Sequence, residues 1–266
     1  MAILTHGSDL SLSPTLAPLV RQAGGTVRAA LGHLDRAKFT GVQLDAALAG
    51  IRPRELSARA RKDLVALFAR QGLRPTGIDL FIPRKHYLDP ARLDRAMTAT
   101  LDAITFAADL GKLPLSLALP VAKLPGDLRH TLVEAADGVG IRLAVHAEDQ
   151  LDALEKWIHE VDLPALGAAI DPAPLLARGE DPAAVLGRFG KRLTIARLSD
   201  VQLGGEAESV RGPVGEGELD VTAYRIAADI ARGRTGPVVL DLRGLTAPLH
   251  AAVQARQAWE DAAFTL

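Results

Sequence analysis

Cysteine is absent from the 266 residues, and that one absence excludes disulfides, thiol nucleophiles and thiolate zinc sites together. Neither sign of charge dominates, since the formal net charge is −1. Without a dense Lys/Arg stripe, the field that draws a phosphate backbone is missing, so nucleic acid is not an expected partner. No apolar run reaches the length needed to span a bilayer, and no membrane association is expected. The opening "MAILTHGSDLSLSPT" lacks the basic-then-apolar order of a secretion signal. With the missing cysteine, this leads to the expectation of a cytoplasmic protein. Aromatic side chains make up only 4% of the chain, while Ala, Arg and Leu are abundant, a bias that says more about a GC-rich genome than about function. No composition break or long Ser/Pro/Gly linker divides the sequence, so residues 1–266 are expected to form one domain, with an atypical segment over 1–25.

Short apolar stretches alternate with helical ones at a nearly constant spacing, the pattern of a parallel α/β fold. The expected strands are Gly41–Ala46, Pro75–Ile82, Leu113–Pro120, Ile141–Glu148, Leu166–Ala173, Leu193–Asp200 and Pro237–Gly244, with "MAILTHG" as an eighth at the front. Between them, apolar residues recur at helical spacing, as in Leu93, Met97, Leu101 and Ile104. Helix starts are marked by Asp89, Asp181 and Asp220, the first two followed by proline at the first helical position. Gly72, Gly111, Gly140 and Gly190 mark the stops. "SPTLAPLVRQAGG" looks like an insertion, and "TVRAALGHLDRAKF" like the first outer helix. Eight such units in about 250 residues define a (β/α)8 TIM barrel. A doubly wound open sheet is less suited, because no strand runs into the Gly-x-Gly-x-x-Gly turn of dinucleotide binders.

Side chains alternate along a strand, so each strand sorts into a helix-facing and an interior set. In "PVVLDLRG" the interior set is Val239, Asp241 and Arg243; in "IRLAVHAE" it is Ala144, His146 and Glu148; in "LTIARLSD" it is Arg197 and Ser199. Gln43, Asp45, Asp79 and Asp171 join them by the same count. Barrel enzymes work at the carboxyl ends of their strands, and there this sequence gathers ionisable groups that are costly to bury unless paired or bound. The candidate catalytic groups are His146, Glu148, Asp171, Arg197 and Asp241. Asp45, Asp79, Arg84, Lys85, His86, Asp200 and Arg243 are candidate substrate contacts, with Arg84, Lys85 and His86 just beyond the third strand, where cations could meet a phosphate or carboxylate or simply face solvent. For His146 three roles stay open: general base, metal ligand, or a hydrogen-bonded core histidine. The glycines of "GPVGEGELD" suggest a mobile loop at the mouth, with Glu216 and Glu218 exposed.

From about Thr26 onward the sequence resembles the xylose-isomerase-like barrels of the sugar phosphate isomerase/epimerase superfamily. The resemblance rests on "FTGVQLDA", "LDPARLDRAMTATLDAITFAADLG", "AAIDPAPLLARGEDP" and "GPVGEGELDVTAY". It implies a sugar or polyol isomerase or epimerase that binds one divalent ion (Mn, Mg or Zn) through Glu, Asp, His and Glu at the ends of strands five to eight. Asp171 matches the strand-six position. His146 stands where Glu is usual, Asp241 is one methylene short, and the strand-seven histidine has become Arg197, with Asp200 retained. A guanidinium carries donors only and cannot ligate a cation. The expectation is therefore a degenerate metal site with no cofactor, in which Arg197 supplies the positive charge and forks onto Asp171 and Asp241. If a metal were bound, His146, Asp171 and Asp241 would hold it. The alternatives are an isomerase or epimerase with altered metal dependence and a non-catalytic binding or scaffold barrel; a lyase or an abasic-site nuclease of the same fold is less suited. The expected partner is a small carbohydrate-like ligand, and a homo-oligomer is compatible with the sequence.

Overall fold

The computed structural model describes residues 11–204, 209–232 and 237–264. Eight parallel strands form the barrel: β1 (Leu12–Pro14), β2 (Gly41–Asp45), β3 (Arg74–Leu80), β4 (Leu115–Ala118), β5 (Leu143–His146), β6 (Leu166–Ile170), β7 (Leu193–Leu198) and β8 (Val238–Leu240). They are hydrogen-bonded in the order β1-β8-β7-β6-β5-β4-β3-β2, and a parallel bridge between Thr15 and Gln43 joins the two ends. Helices alternate with the strands and cover them. The fold is a single-domain TIM barrel, as the alternating pattern predicts.

Local chemistry sets the boundaries. Asp89 and Asp181 cap helices Pro90–Asp109 and Pro182–Phe189 by accepting the amides of Ala91 and Ala183, with proline at the first helical position in both. Asp220 accepts the Ala223 amide at the start of Val221–Arg232. Gly140 ends Gly126–Val139 with φ +71°, a left-handed conformation that glycine adopts without a Cβ penalty.

The front of the chain departs from expectation. "MAILTHG" lies outside the described residues; among those described, the first barrel strand is Leu12–Pro14, overlapping the stretch that looks inserted. Leu16–Gln22, the rest of that stretch, is a helix, followed by the expected Val27–Arg36. The reason is geometric: Pro14 has no amide to donate, so the ladder to β8 continues from the Thr15 amide to the Leu240 carbonyl at 3.0 Å. A three-residue strand containing proline carries almost no alternation signal. The other strands are also shorter at their carboxyl ends than the apolar runs suggest, since their last residues leave the ladder to form the mouth.

The alternation itself is visible in the packing. Ala144, Ala169, Ile195 and Val239 form a small apolar cluster apart from the main core, inside the barrel, while Leu143, Val145, Ala196, Leu198, Val238 and Leu240 pack in the layer against the helices. One residue pair further along the strands, the interior turns polar. Gln43, Asp79, Ser116, His146, Arg197 and Asp241 are all buried there. The apolar floor therefore supports a charged layer directly beneath the carboxyl mouth.

Candidate functional site

Arg197, on β7, is the largest fully buried side chain, with 0% exposure. Its three donor groups are all used. Nη1 donates to Asp241 Oδ2 at 3.1 Å, Nη2 donates to Asp79 Oδ1, and Nε donates to His146 Nε2 at 3.2 Å. The guanidinium carbon lies 5.1 Å from the centre of the Phe81 ring, so an aromatic face closes the remaining side. The expected carboxylate pair is thus half right. Asp241 is a partner, but the second is Asp79 from the opposite side of the barrel, not Asp171.

Asp171 is held instead by Arg211, from a two-stranded antiparallel ribbon (Asp200–Gln202 with Val210–Gly212) that rises from the end of β7. The Ser199 hydroxyl donates to Asp171 Oδ1 at 2.5 Å, and the same carboxylate caps helix Pro172–Leu176 through the Ala173 amide. Arg211 also donates to Asp241 at 3.1 Å, and Arg243 grips Asp241 through Nε and Nη2 while its guanidinium carbon sits 4.1 Å over the Phe81 ring. Three guanidiniums, Arg197, Arg211 and Arg243, thus interlock with three carboxylates, Asp79, Asp171 and Asp241. Arg211 had no sequence signal in its favour because the ribbon follows no barrel periodicity. Phe81 did: it is in phase with Gly77 and Asp79, hence interior.

The remaining candidates occupy distinct places. His146 Nδ1 lies 2.8 Å from Glu148 Oε1, and Nε2 is 3.2 Å from Ser116 Oγ. An Arg Nε–H can only donate, so His146 Nε2 accepts and the imidazole proton belongs to Nδ1, aimed at Glu148. Glu148 also accepts the Asp171 amide at 2.9 Å. Arg84 reaches the mouth, donating to Asp149 and to the His146 carbonyl. Lys85 is exposed, and His86 turns to Arg92 at 2.7 Å. Asp45 stands half-buried at the rim, accepting the Ala47 amide at 2.7 Å. Asp200 is fully buried, and its carboxylate accepts the amides of Val201, Gly215, Gly217 and Leu219. The glycines of "GPVGEGELD" serve that approach: a Cβ on Gly217 would collide with the Asp200 carboxylate and the Val201 carbonyl. This segment is anchored where loop mobility is expected. Glu216 and Glu218 are exposed, as expected.

Electrostatics follow the pairing. Burial works against ionisation of Asp241, but Arg197, Arg243 and Arg211 outweigh it and hold the carboxyl well below the usual range. For Asp171, burial is again the opposing cause, and Arg211 is the main one that overcomes it, so its carboxyl also titrates low. Asp45 goes the other way, raised chiefly by burial. A carboxyl with a depressed folded-state pKa contributes stability that is full above its unfolded value and is lost as pH falls through the folded one. The pairs of Asp171 and Asp241 should therefore stabilise the fold at neutral pH and lose this contribution below about pH 4. Urea titrations of wild type and Arg211→Gln should differ by roughly 2 kcal/mol at pH 7 and converge in acid. A gap independent of pH would contradict the assignment.

The donor set does not suit a resident divalent cation. His146 spends Nε2 on a guanidinium, Asp171 and Asp241 are engaged by arginines, and the fourth position is itself a cation. Among the described residues, no group of three His, Asp or Glu side chains is arranged to hold a metal ion. Nor is any helix of the described residues long and apolar enough to cross a membrane.

An eight-stranded barrel with an ionic cluster at its carboxyl mouth defines a class, and comparison with known proteins names it. The sequence profile described as "Xylose isomerase-like TIM barrel" matches residues 31–262, so the chain belongs to this family. Among solved structures it is similar to a xylose isomerase-like TIM barrel protein from Mycobacterium smegmatis in complex with magnesium (TM-score 0.73, 16% identity, covering 97% of each chain). It is likewise similar to 3-keto-D-glucoside 4-epimerase from E. coli (TM-score 0.70, 14% identity, 96% of this chain and 99% of that one). A third is the probable 3-DHS dehydratase from Bacillus anthracis (TM-score 0.69, 13% identity, 94% and 98%). At these identities the likeness shows the fold alone. No protein of curated function matches the chain.

Proposed function

We propose that this chain is a metal-independent, carbohydrate-binding barrel in which a fixed guanidinium stands in place of the divalent ion and isomerase or epimerase turnover has been given up. One observation carries this: Arg197 is buried and enclosed by Asp79, Asp241 and His146, on the strand where the family resemblance implies a histidine ligand. The depressed Asp171 and Asp241 carboxyls add support, because a proton shuttle works best with a pKa near the working pH. The ligand is an acidic sugar. Arg211 and Arg243 remain 27% and 35% exposed, so each keeps part of its guanidinium available to a carboxylate or phosphate on a sugar entering the mouth.

Calorimetric titration in the presence of EDTA, with gluconate, glucose 6-phosphate and glucose as probes, tests this. One of the two anions should bind, neutral glucose should bind more weakly, and Arg211→Gln should weaken the anion by about tenfold or more. Equal affinity for glucose, or binding that requires added magnesium, would contradict the proposal. A second reading, a working isomerase, is favoured by the 2.8 Å His146–Glu148 contact, which resembles a base and its orienting carboxylate. Deuterium uptake from D2O into the carbon beside a sugar carbonyl would favour it over simple binding.

A further inference from the structure

Beside the mouth, and separate from its ionic cluster, a cavity of about 410 Å³ opens between the end of β3 and the first turns of helix Pro90–Asp109. Its floor is Phe81, Ile82, Pro83, Ala96 and Ala99, and among the described residues its only charged or titratable lining residues are His86, Arg92 and Arg95. The volume falls in the range of small-molecule pockets, which are mostly apolar with a few polar groups fixing orientation. A separate cavity of about 210 Å³ shares only Ala99 with it and is lined by charged groups of both signs, among them Arg52, Arg54 and Asp102.

The charges around the cavity are unequal. Arg92 is partly satisfied: it lies 3.4 Å from Asp89 and donates to His86 Nε2 at 2.7 Å. Because that nitrogen accepts, His86 is a neutral partner that orients Arg92 rather than a second cation. Arg95 is exposed and makes no hydrogen bond, ion pair or ring contact among the described residues. Among the described residues, no carboxylate lines this cavity. A guanidinium left without a counter-charge over an apolar floor is complementary to a planar anion attached to an apolar body.

We propose that this cavity binds an organic carboxylate with an aromatic or branched aliphatic skeleton, the carboxylate on Arg95 and Arg92 and the skeleton on Phe81, Ile82 and Ala99. The site is independent of the acidic-sugar site at the mouth, although Phe81 borders both: the same ring that lines the cavity carries the guanidiniums of Arg197 and Arg243.

The probe is 4-fluorobenzoate, followed by fluorine NMR on the full chain, with 4-fluorobenzyl alcohol as the neutral control. Saturable binding in the millimolar range or tighter is expected, with the alcohol weaker. Arg95→Glu should weaken 4-fluorobenzoate by about tenfold or more, converting attraction to repulsion at one exposed position. Ala99→Leu should reduce binding by filling the floor. Arg211→Gln should leave it unchanged, which separates this site from the mouth. Arg95 is exposed and Ala99 only half-buried, and an unchanged melting temperature in each variant keeps folding out of the comparison. No saturable binding, or equal binding in wild type, Arg95→Glu and Ala99→Leu, would overturn the proposal.

Discussion

Replacing Arg197 with leucine should destabilise the protein by about 3–5 kcal/mol, because it leaves buried carboxylates without their counter-charge. Leucine fills much of the alkyl volume, so the loss comes chiefly from charge. Asp79 would keep only the Gln43 amide at 2.9 Å, and the balance of three guanidiniums against three carboxylates would become two against three. In a chain of this size the change corresponds to a melting temperature lower by roughly 10 °C. The double variant Arg197→Leu with Asp79→Asn removes the excess negative charge and should recover part of the loss. An Arg197→Leu protein that melts with wild type would mean that the guanidinium is a bystander in a hydrated rim.

The companion change, Asp241→Asn, should cost about as much and more than Asp79→Asn. Asp241 accepts from Arg197, Arg211 and Arg243, whereas among the guanidiniums only Arg197 donates to Asp79. Neutralising Asp241 leaves the three cations crowded with no central anion, two of them partly open to water and one not. Repulsion is screened for the exposed pair, so the penalty falls chiefly on Arg197. Chemical denaturation of both variants at pH 7 gives the ranking. Equal or reversed losses would show that Asp241 is not the hub.

Most of the framework is legible in the sequence because two periodicities do the sorting. Alternation along β5, β7 and β8 separates His146, Arg197 and Asp241 from their helix-facing neighbours, and acidic caps before proline fix the starts at Asp89 and Asp181. What escapes is what alternation cannot carry. Strand β1 is three residues with a proline, too short to display a period. Arg211 sits on a ribbon outside the barrel, so no strand phase points it at Asp171. The choice of Asp79 over Asp171 as the second partner of Arg197 depends on which carboxylate faces the guanidinium across the lumen, a distance that no single strand encodes. Asp200 shows a further limit: its retained position suggests a substrate contact, yet its oxygens are taken by the amides of the segment that follows the ribbon.

The family link and the ionic cluster together make a narrow claim, that a side-chain cation takes the place of a metal ion in this barrel. Elemental analysis of the protein purified without chelator, paired with its melting temperature before and after EDTA, tests it most directly. The account predicts no stoichiometric divalent ion and no shift on chelation. One tightly held ion per chain, whose removal by EDTA lowers the melting temperature, would contradict it.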